Sequence, residues 1–324
     1  MRRAGEVARA IATIDEIQAW AAAAGLTAAV DARLDALGRA RPPLTPATDD
    51  RDPQIMGVVN VTPDSFSDGG DFLDPDRAIA HGLALKAAGA DILDVGGEST
   101  RPGAAPVGRD EELRRVLPVV AALAEAGAVV SIDSRHAVVM RAALSAGAAI
   151  LNDVTALDGD PDSLGVAADS GVPVVLMHMR GDPRTMQAAP RYDDAPLDVY
   201  DFLAGRLVAC AAAGIDPARI VVDPGIGFGK TVDHNVAILR HAALFHGLGC
   251  RVLVGVSRKS FIARLSGGEP AKQRLGGSLA AGLAALDRGA QILRAHDVAQ
   301  TRQAVAVWRA LADPTGPKLD VIDP

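Results

Sequence analysis

The sequence predicts an α/β protein, a (β/α)8 barrel behind a short helical N-terminal extension, and three observations carry that prediction. From residue 54 onward, eight short apolar, β-branched runs alternate with eight amphipathic, Ala-rich stretches. Several of those stretches close on one phrase just before the next run, as in Ala88-Gly89-Ala90, Ala146-Gly147-Ala148 and Arg288-Gly289-Ala290. Glycine there supplies the left-handed cap that turns a helix back to a sheet. The runs are apolar at both parities, as in parallel strands covered on both faces. Eight such units without a long structureless gap fit a TIM barrel. Period alone does not reveal closure, so an open doubly wound sheet answers to the same pattern.

In chain order, residues 1–53 come first and differ from the rest. Val7, Ile11, Ile14 and Ile17 fall at helical spacing, as do Val30, Leu34 and Leu37, with Gly25 between the two stretches. Arg41-Pro42-Pro43-Leu44-Thr45-Pro46 then breaks the helix and reads as a linker. A helical hairpin packed on the main domain is expected. That domain is expected over 54–313, with a tail over 314–324. Its strands are predicted over 55–59, 91–95, 128–132, 149–151, 173–177, 219–222, 251–256 and 290–293. Its helices are predicted over 75–89, 110–126, 135–146, 160–170, 196–213, 232–247, 272–288 and 297–312.

The bulk properties narrow the function. At 324 residues and 49% hydrophobic the chain can bury a large core, and with 3% aromatics that core must be Ala, Val, Leu and Ile. A net charge of -7 gives no basic field for nucleic acid, so an anionic substrate would need local Arg and Lys. Cys210 and Cys250 read as reduced, buried small hydrophobes, and neither a CxxC nor an HExxH pattern occurs. The longest apolar run near the start, Ala19 to Ala24, is too short to span a bilayer, and Glu6, Asp15 and Glu16 interrupt the leader-like start at Arg2 and Arg3. A cytoplasmic protein acting on small molecules, without membrane or nucleic-acid partners, is expected.

Each predicted strand ends in polar residues: Asn60; Asp94 and Glu98, leading to Thr100 and Arg101; Asp133; Asn152; Met177 and His178; Asp223; Ser257, Arg258 and Lys259; Arg294 and His296. In a parallel barrel these ends share one rim, where the chemistry sits. Asp133, Asn152, Asp223 and Lys259 offer paired donors and acceptors for a flat heterocycle. Thr100, Arg101, Arg294 and His296, with Gly96, Gly97 and Gly103, suit a phosphate or pyrophosphate. Asn60 is a hard oxygen ligand beside that half and suits Mg2+ shared with water and phosphate oxygens.

Plainer readings stand beside these. Asp133 can cap a helix starting near Arg135. Asp94 and Glu98 can pair with Arg101, and His178, between Met177 and Met179, can be a packed residue. His81, His136, His234, His241 and His246 fall on predicted helices and are expected at the surface, and Arg114-Arg115 on a solvated face. The segment Asp223-Pro224-Gly225-Ile226-Gly227-Phe228-Gly229-Lys230-Thr231 ends like a phosphate-binding P-loop, but Pro stands where that motif needs its first Gly and has no N–H to give.

The ordered blocks resemble the dihydropteroate synthase family, over about residues 54 to 312. The first is Met56-Gly57-Val58-Val59-Asn60-Val61-Thr62-Pro63-Asp64-Ser65-Phe66-Ser67-Asp68-Gly69-Gly70, and the second Gly96-Gly97-Glu98-Ser99-Thr100-Arg101-Pro102-Gly103. Asn152-Asp153-Val154, Met177-His178-Met179, Asp223 to Lys230, Ser257-Arg258-Lys259-Ser260 and Arg294-Ala295-His296-Asp297 follow in order. The resemblance implies a transferase of folate biosynthesis that joins 6-hydroxymethyl-7,8-dihydropterin pyrophosphate to p-aminobenzoate, giving 7,8-dihydropteroate and pyrophosphate. It implies that Asp133, Asn152, Asp223 and Lys259 hold the pterin, with Met177 and Phe228 lining the site. Asn60, Thr100, Arg101, Arg294 and His296 correspond to the pyrophosphate and Mg2+ side, with Arg101, Lys259, Arg294 and His296 as the catalytic group. Phe66, Pro102, Lys259 and Ser260 correspond to the aminobenzoate pocket, where sulfonamides compete. A homodimer through outer barrel helices is also implied. Ile226 and Arg180 depart from the family's usual residues, and the extension before residue 54 lies outside its pattern. A corrinoid-serving pterin methyltransferase would lack the Thr100-Arg101, Ser257-Arg258-Lys259-Ser260 and Arg294-Ala295-His296 blocks, and a silent binding barrel would lose the anion-side residues.

Overall fold

The computed structural model describes residues 2–3, 6–7, 12–39, 41, 43–45, 53–62, 75–99, 103–182 and 185–312. A two-residue ribbon opens it, β1 (Arg2–Arg3) antiparallel to β2 (Glu6–Val7). Val7 therefore lies in a strand and not on the helix that its spacing predicts. The first helix starts later because Thr13 caps it: its hydroxyl accepts the Glu16 N–H at 3.3 Å, and the Glu16 carboxylate accepts the Thr13 N–H at 2.8 Å. Helices α1 (Ile14–Ala23) and α2 (Thr27–Gly38) form the hairpin, turning at Gly25 with φ +68°.

The repeating units follow as β3 (Gln54–Asn60), α3 (Pro75–Ala87), β4 (Ile92–Gly96), α4 (Arg109–Glu125), β5 (Val130–Asp133), α5 (Ala137–Ser145), β6 (Ile150–Asp153), α6 (Ser163–Ser170), β7 (Val174–Met177) and α7 (Ala195–Ala212). After these come β8 (Ile220–Asp223), α8 (Val232–Arg240), β9 (Arg251–Val254), α9 (Ser260–Leu265), α10 (Leu275–Leu286), β10 (Ile292–Ala295) and α11 (Val298–Ala312). Every pairing from β3 to β10 is parallel, and β10 closes on β3 with Arg294 opposite Met56. Closure removes the open-sheet alternative. The helix predicted over 232–247 divides: α8 ends at Arg240, where the His241 ring meets the Ala237 carbonyl at 2.8 Å, and a 3-10 helix, Ala242–Leu248, follows.

Two apolar layers result. The outer one lies between the strands and their covering helices. The inner one fills the barrel floor with Met56, Ile92, Ile150, Val175, Val221, Leu253 and Ile292, and Leu44 joins it from the N-terminal side, only 6% exposed. Burying one such Leu stabilises by about 2 kcal/mol. Polar ties fasten the extension beside it. Arg33 donates to the Gly247 carbonyl at 3.1 Å with its guanidinium 5.4 Å from the Tyr200 ring, and Arg41 donates to the carbonyls of Cys250 at 2.8 Å and His246 at 3.2 Å. Both cysteines are buried and unbridged. Among the described residues no helix is long and apolar enough to cross a membrane.

Candidate active site

Parallel pairing brings every barrel strand's C-terminal end to one rim, and register sets which side chains meet. Gly96 stands opposite Asp133, Asp133 opposite Asn152, and Met177 opposite Asp223. Arg294 reaches across from β10. Its Nε donates to Asp94 Oδ2 at 2.7 Å and its Nη2 to Asp133 Oδ2 at 2.9 Å, while Asn152 Nδ2 donates to the same Asp94 oxygen at 3.0 Å. Asp94 is wholly buried, and its Oδ1 has no hydrogen-bond partner among the described residues. Burial, then the neighbouring Asp94 charge, pushes the Asp133 carboxyl up to about 7, against the pull of Arg294.

Asp94 is thus the hub of the floor and pairs with Arg294, while Arg101, the partner that the plainer reading gives it, lies outside the described residues. Glu98 likewise pairs with Arg135, at 2.9 and 3.0 Å, and also accepts the Val107 N–H at 3.1 Å, so one carboxylate joins the two ends of the 98–107 segment. Asp133 does not cap a helix: the N-cap of α5 is His136, and the first helical N–H, of Ala137, is bonded to Asp160 Oδ2 at 3.2 Å, which leaves Asp133 to the site. Arg115 is not solvated. It is 11% exposed and donates to the Gly97 carbonyl at 2.9 Å, holding the start of the same segment. The five helix-assigned histidines are half-buried rather than at the surface. His136 meets the buried Glu112 at 2.6 Å.

The second cluster lies on β8 and β9. Asp223 is buried, which raises its pKa, while its Oδ1 accepts the Gly225 N–H at 2.7 Å and the charges of Lys259, Lys230 and Arg294 pull the other way. Asp223 is thus within electrostatic reach of both Lys259 and Arg294. Lys259 holds its ammonium 4.0 Å from the centre of the Phe228 ring, a cation–π contact. His296 accepts or donates at Ser257 Oγ, 3.0 Å from its Nδ1, and burial followed by the nearby Arg294, Arg258 and Lys259 charges pushes its pKa down to about 3. It is neutral near pH 7. Arg258 turns away to Asp297, at 3.0 Å, with φ +60°. Asn60 ends β3, half-buried, and Ser260 opens the six-residue α9, exposed. Met177 is buried at the end of β7. Phe66, Thr100, Arg101 and Pro102 lie outside the described residues.

The loop after β8 is braced from within. Gly225, Gly227 and Gly229 all have positive φ, and a Cβ on Gly225 would lie 1.9 Å from the His178 carbonyl oxygen. Lys230 is buried and its Nζ lies 2.8 Å from the Gly225 carbonyl and 3.0 Å from that of Phe228. A lysine spent on its own loop cannot meet a nucleotide phosphate, so the Gly-Lys-Thr here is not a P-loop.

The model for the family described as pterin binding enzyme matches residues 56–296. The chain belongs to the pterin binding enzyme family. Membership is supported by a Neisseria meningitidis serogroup B relative named dihydropteroate synthase, 50% identical over 266 residues, 80% of this chain and 93% of the relative. A Xanthomonas albilineans dihydropteroate synthase solved with 4-aminobenzoic acid superposes with a TM-score of 0.77 at 50% identity, covering 82% of this chain and 94% of that one. Another from the same organism, in complex with 7,8-dihydropteroate, gives 0.77 at 46% identity and covers 86% and 100%. The family match begins at Met56, so α1, α2 and Leu44 precede it.

Proposed function

We propose that the chain is a dihydropteroate synthase: a transferase that joins 6-hydroxymethyl-7,8-dihydropterin pyrophosphate to p-aminobenzoate and releases pyrophosphate. One observation carries this reading. Carboxylates and an amide (Asp94, Asp133, Asn152 and Asp223) gather at one end of the barrel with Arg294 and Lys259, Arg294 bonded to Asp94 and Asp133 and both cations acting on Asp223. That combination reads a flat heterocycle and receives an anionic leaving group in the same place. The solved relatives named with 4-aminobenzoic acid and with 7,8-dihydropteroate support the two halves of the reaction.

In this reading Asp223, Asn152 and Asp133 accept and donate along the edge of the pterin, with the unpartnered Asp94 Oδ1 a buried acceptor at the same floor. Lys259 stands between pterin and aminobenzoate, and Ser260 with Phe66 and Pro102 receives the aminobenzoate, the pocket where sulfonamides compete. The aniline lone pair forms the new C–N bond at the exocyclic methylene carbon. The C–O bond to pyrophosphate breaks with its electron pair left on oxygen, and the anilinium proton goes to solvent. We assign a dissociative order, bond breaking first, because the electron-rich dihydropterin can carry the positive charge. Arg294, Arg101, Thr100 and the neutral His296 donate to the pyrophosphate as its charge grows. Preorganised donors of this kind are worth about 10²–10³-fold each in turnover.

Mg2+ belongs to the proposal. Among the described residues no group of three or more His, Cys, Asp and Glu is placed to cage a metal. Asn60, half-buried at the end of β3, fits the other mode, in which a single protein oxygen joins phosphate oxygens and water. When bound there, the ion would neutralise charge on the leaving pyrophosphate. We also infer a cytoplasmic homodimer joined through outer helices. Val307 and Leu311 on α11, 57% and 81% exposed, offer apolar surface for it.

The test supplies both substrates and Mg2+ and measures pyrophosphate. Release that depends on p-aminobenzoate is expected, with 7,8-dihydropteroate formed in equal amount. Pyrophosphate release without p-aminobenzoate dependence, or none, would overturn the assignment. Sedimentation as a monomer at micromolar concentration would remove the dimer.

A further inference from the structure

The lysine of the Gly-Lys-Thr segment is left unused by the reaction above, and its surroundings are unusual. Lys230 is 3% exposed, and its Nζ donates to the carbonyls of Gly225 at 2.8 Å, Phe228 at 3.0 Å and His178 at 3.3 Å, with the His178 Nδ1 also 2.9 Å away. No carboxylate is bonded to it among the described residues. His178 is itself buried, and burial followed by the Lys230 charge pushes its pKa down to about 2, so its ring is neutral where it meets the amine. The amine sits in a seam between two backbones. On one side is the end of β7 and its continuation through His178 and Arg180. On the other is the left-handed loop of Gly225, Gly227 and Gly229. A Cβ on Gly229 would lie 2.3 Å from the Arg180 carbonyl oxygen, so the two backbones touch directly. Gln187 and Asn235 brace the middle of the loop through the Gly227 carbonyl and N–H, each at 2.7 Å.

Each atom that Lys230 holds is one step from a side chain of the site. The Gly225 carbonyl belongs to the residue whose N–H is bound to Asp223 Oδ1 at 2.7 Å, which fixes that carboxylate's rotation. The Phe228 carbonyl belongs to the residue whose ring carries the Lys259 ammonium at 4.0 Å. His178 directly follows Met177 on β7. We propose that Lys230 is the positioning residue of the pterin-reading half of the site: one buried amine sets Asp223, Phe228 and the end of β7 at fixed mutual distances, and through Phe228 it sets Lys259. This deepens the dihydropteroate synthase reading and rests on it. The lysine does not touch substrate. It draws together three carbonyls that would otherwise repel one another.

A split between ligand classes tests it. Lys230→Met keeps the length of the side chain and deletes the amine. Calorimetry is run with two probes, a phosphate-free 7,8-dihydropterin and Mg2+-pyrophosphate. Pterin affinity is expected to fall at least about tenfold, since small misplacements of site groups are costly, while pyrophosphate, held by residues on other strands, keeps its affinity within about twofold. Leu203→Ala, a cavity on α7 with its side chain wholly buried, serves as a destabilised control and should leave both affinities unchanged. If Lys230→Met does not fold, Lys230→Gln carries the test. Its amide can donate to two of the three carbonyls and should restore folding, with pterin affinity between that of the wild type and a tenfold loss. Unchanged pterin affinity in the folded variant, or equal losses for both probes, would overturn the proposal. Failure of the wild type itself to bind the pterin would instead overturn the function on which it rests.

Discussion

Replacing Arg294 by Met removes the cation set between the buried Asp94 and the largely buried Asp133. The wild-type guanidinium meets Asp94 at 2.7 Å and Asp133 at 2.9 Å, with Arg294 22%, Asp94 0% and Asp133 13% exposed. A pair at about 4 Å between charge centres is worth about 4 kcal/mol at an effective dielectric near 20. Breaking a buried pair from one side typically costs about 3–5 kcal/mol, because the remaining charge stays buried. The pH dependence separates this cause from simple loss of packing. Asp133 titrates near 7 in the folded protein against an ordinary value of 3.8, so the folded state binds more protons between those values and stability falls as pH rises through them. Without Arg294 its pKa rises further, and the fall continues above pH 7. The expected loss in Arg294→Met is therefore larger at pH 8 than at pH 5 by at least about 1.4 kcal/mol, one pKa unit's worth. Urea unfolding at the two pH values, followed by circular dichroism, measures it. A loss of the same size at both would refute the electrostatic account, and kcat/KM should fall about 10²-fold.

Asp223→Asn should bind the pterin ester at least about tenfold more weakly, because an NH2 group then faces a ring N–H; undiminished binding by calorimetry would remove Asp223 from the pterin site. Gly225→Ala should fail to accumulate as folded protein, since its Cβ would lie 1.9 Å from the His178 carbonyl oxygen at φ +66°; a soluble variant of wild-type melting temperature would mean that the loop is not held against β7. The His178 ring, with its pKa near 2, should show no titrating proton resonance between pH 5 and 8. Its folded pKa is depressed below 6.5, so the stability it contributes is present above pH 6.5 and is lost as pH falls further, with a slope of about 1.4 kcal/mol per pH unit.

The alternation of elements and the polar strand ends were legible because they are local patterns of period and composition. Pairing between distant strands was not. Nothing near Arg294 announces that it meets Asp94, 200 residues earlier, and the nearby Arg101 was the natural partner to expect. The same reason hides Arg115: helical periodicity shows that it shares a face with Glu111, four residues earlier, but not that the Gly97 carbonyl folds over that face. The half-buried histidines went unseen for the same cause, as His136 needs Glu112 on the preceding helix. One clue was available for the floor hub. In Ile92-Leu93-Asp94-Val95 a carboxylate interrupts a strand that is otherwise apolar on both faces, and burial there demands a cation. Apolar spacing alone starts the first helix too early, because a Thr13-Glu16 capping box outweighs loosely spaced apolar residues upstream.

Leu44 gives the segment ahead of the family match a stake in the enzyme's solubility and shelf life. A version trimmed to begin just after that residue would leave the underside of Met56, Ile92 and Leu253 open to water, whereas one beginning shortly before it would keep the plug and lose only the hairpin. The two would differ by a few residues in length, yet the shorter should aggregate on warming while the longer stays clear.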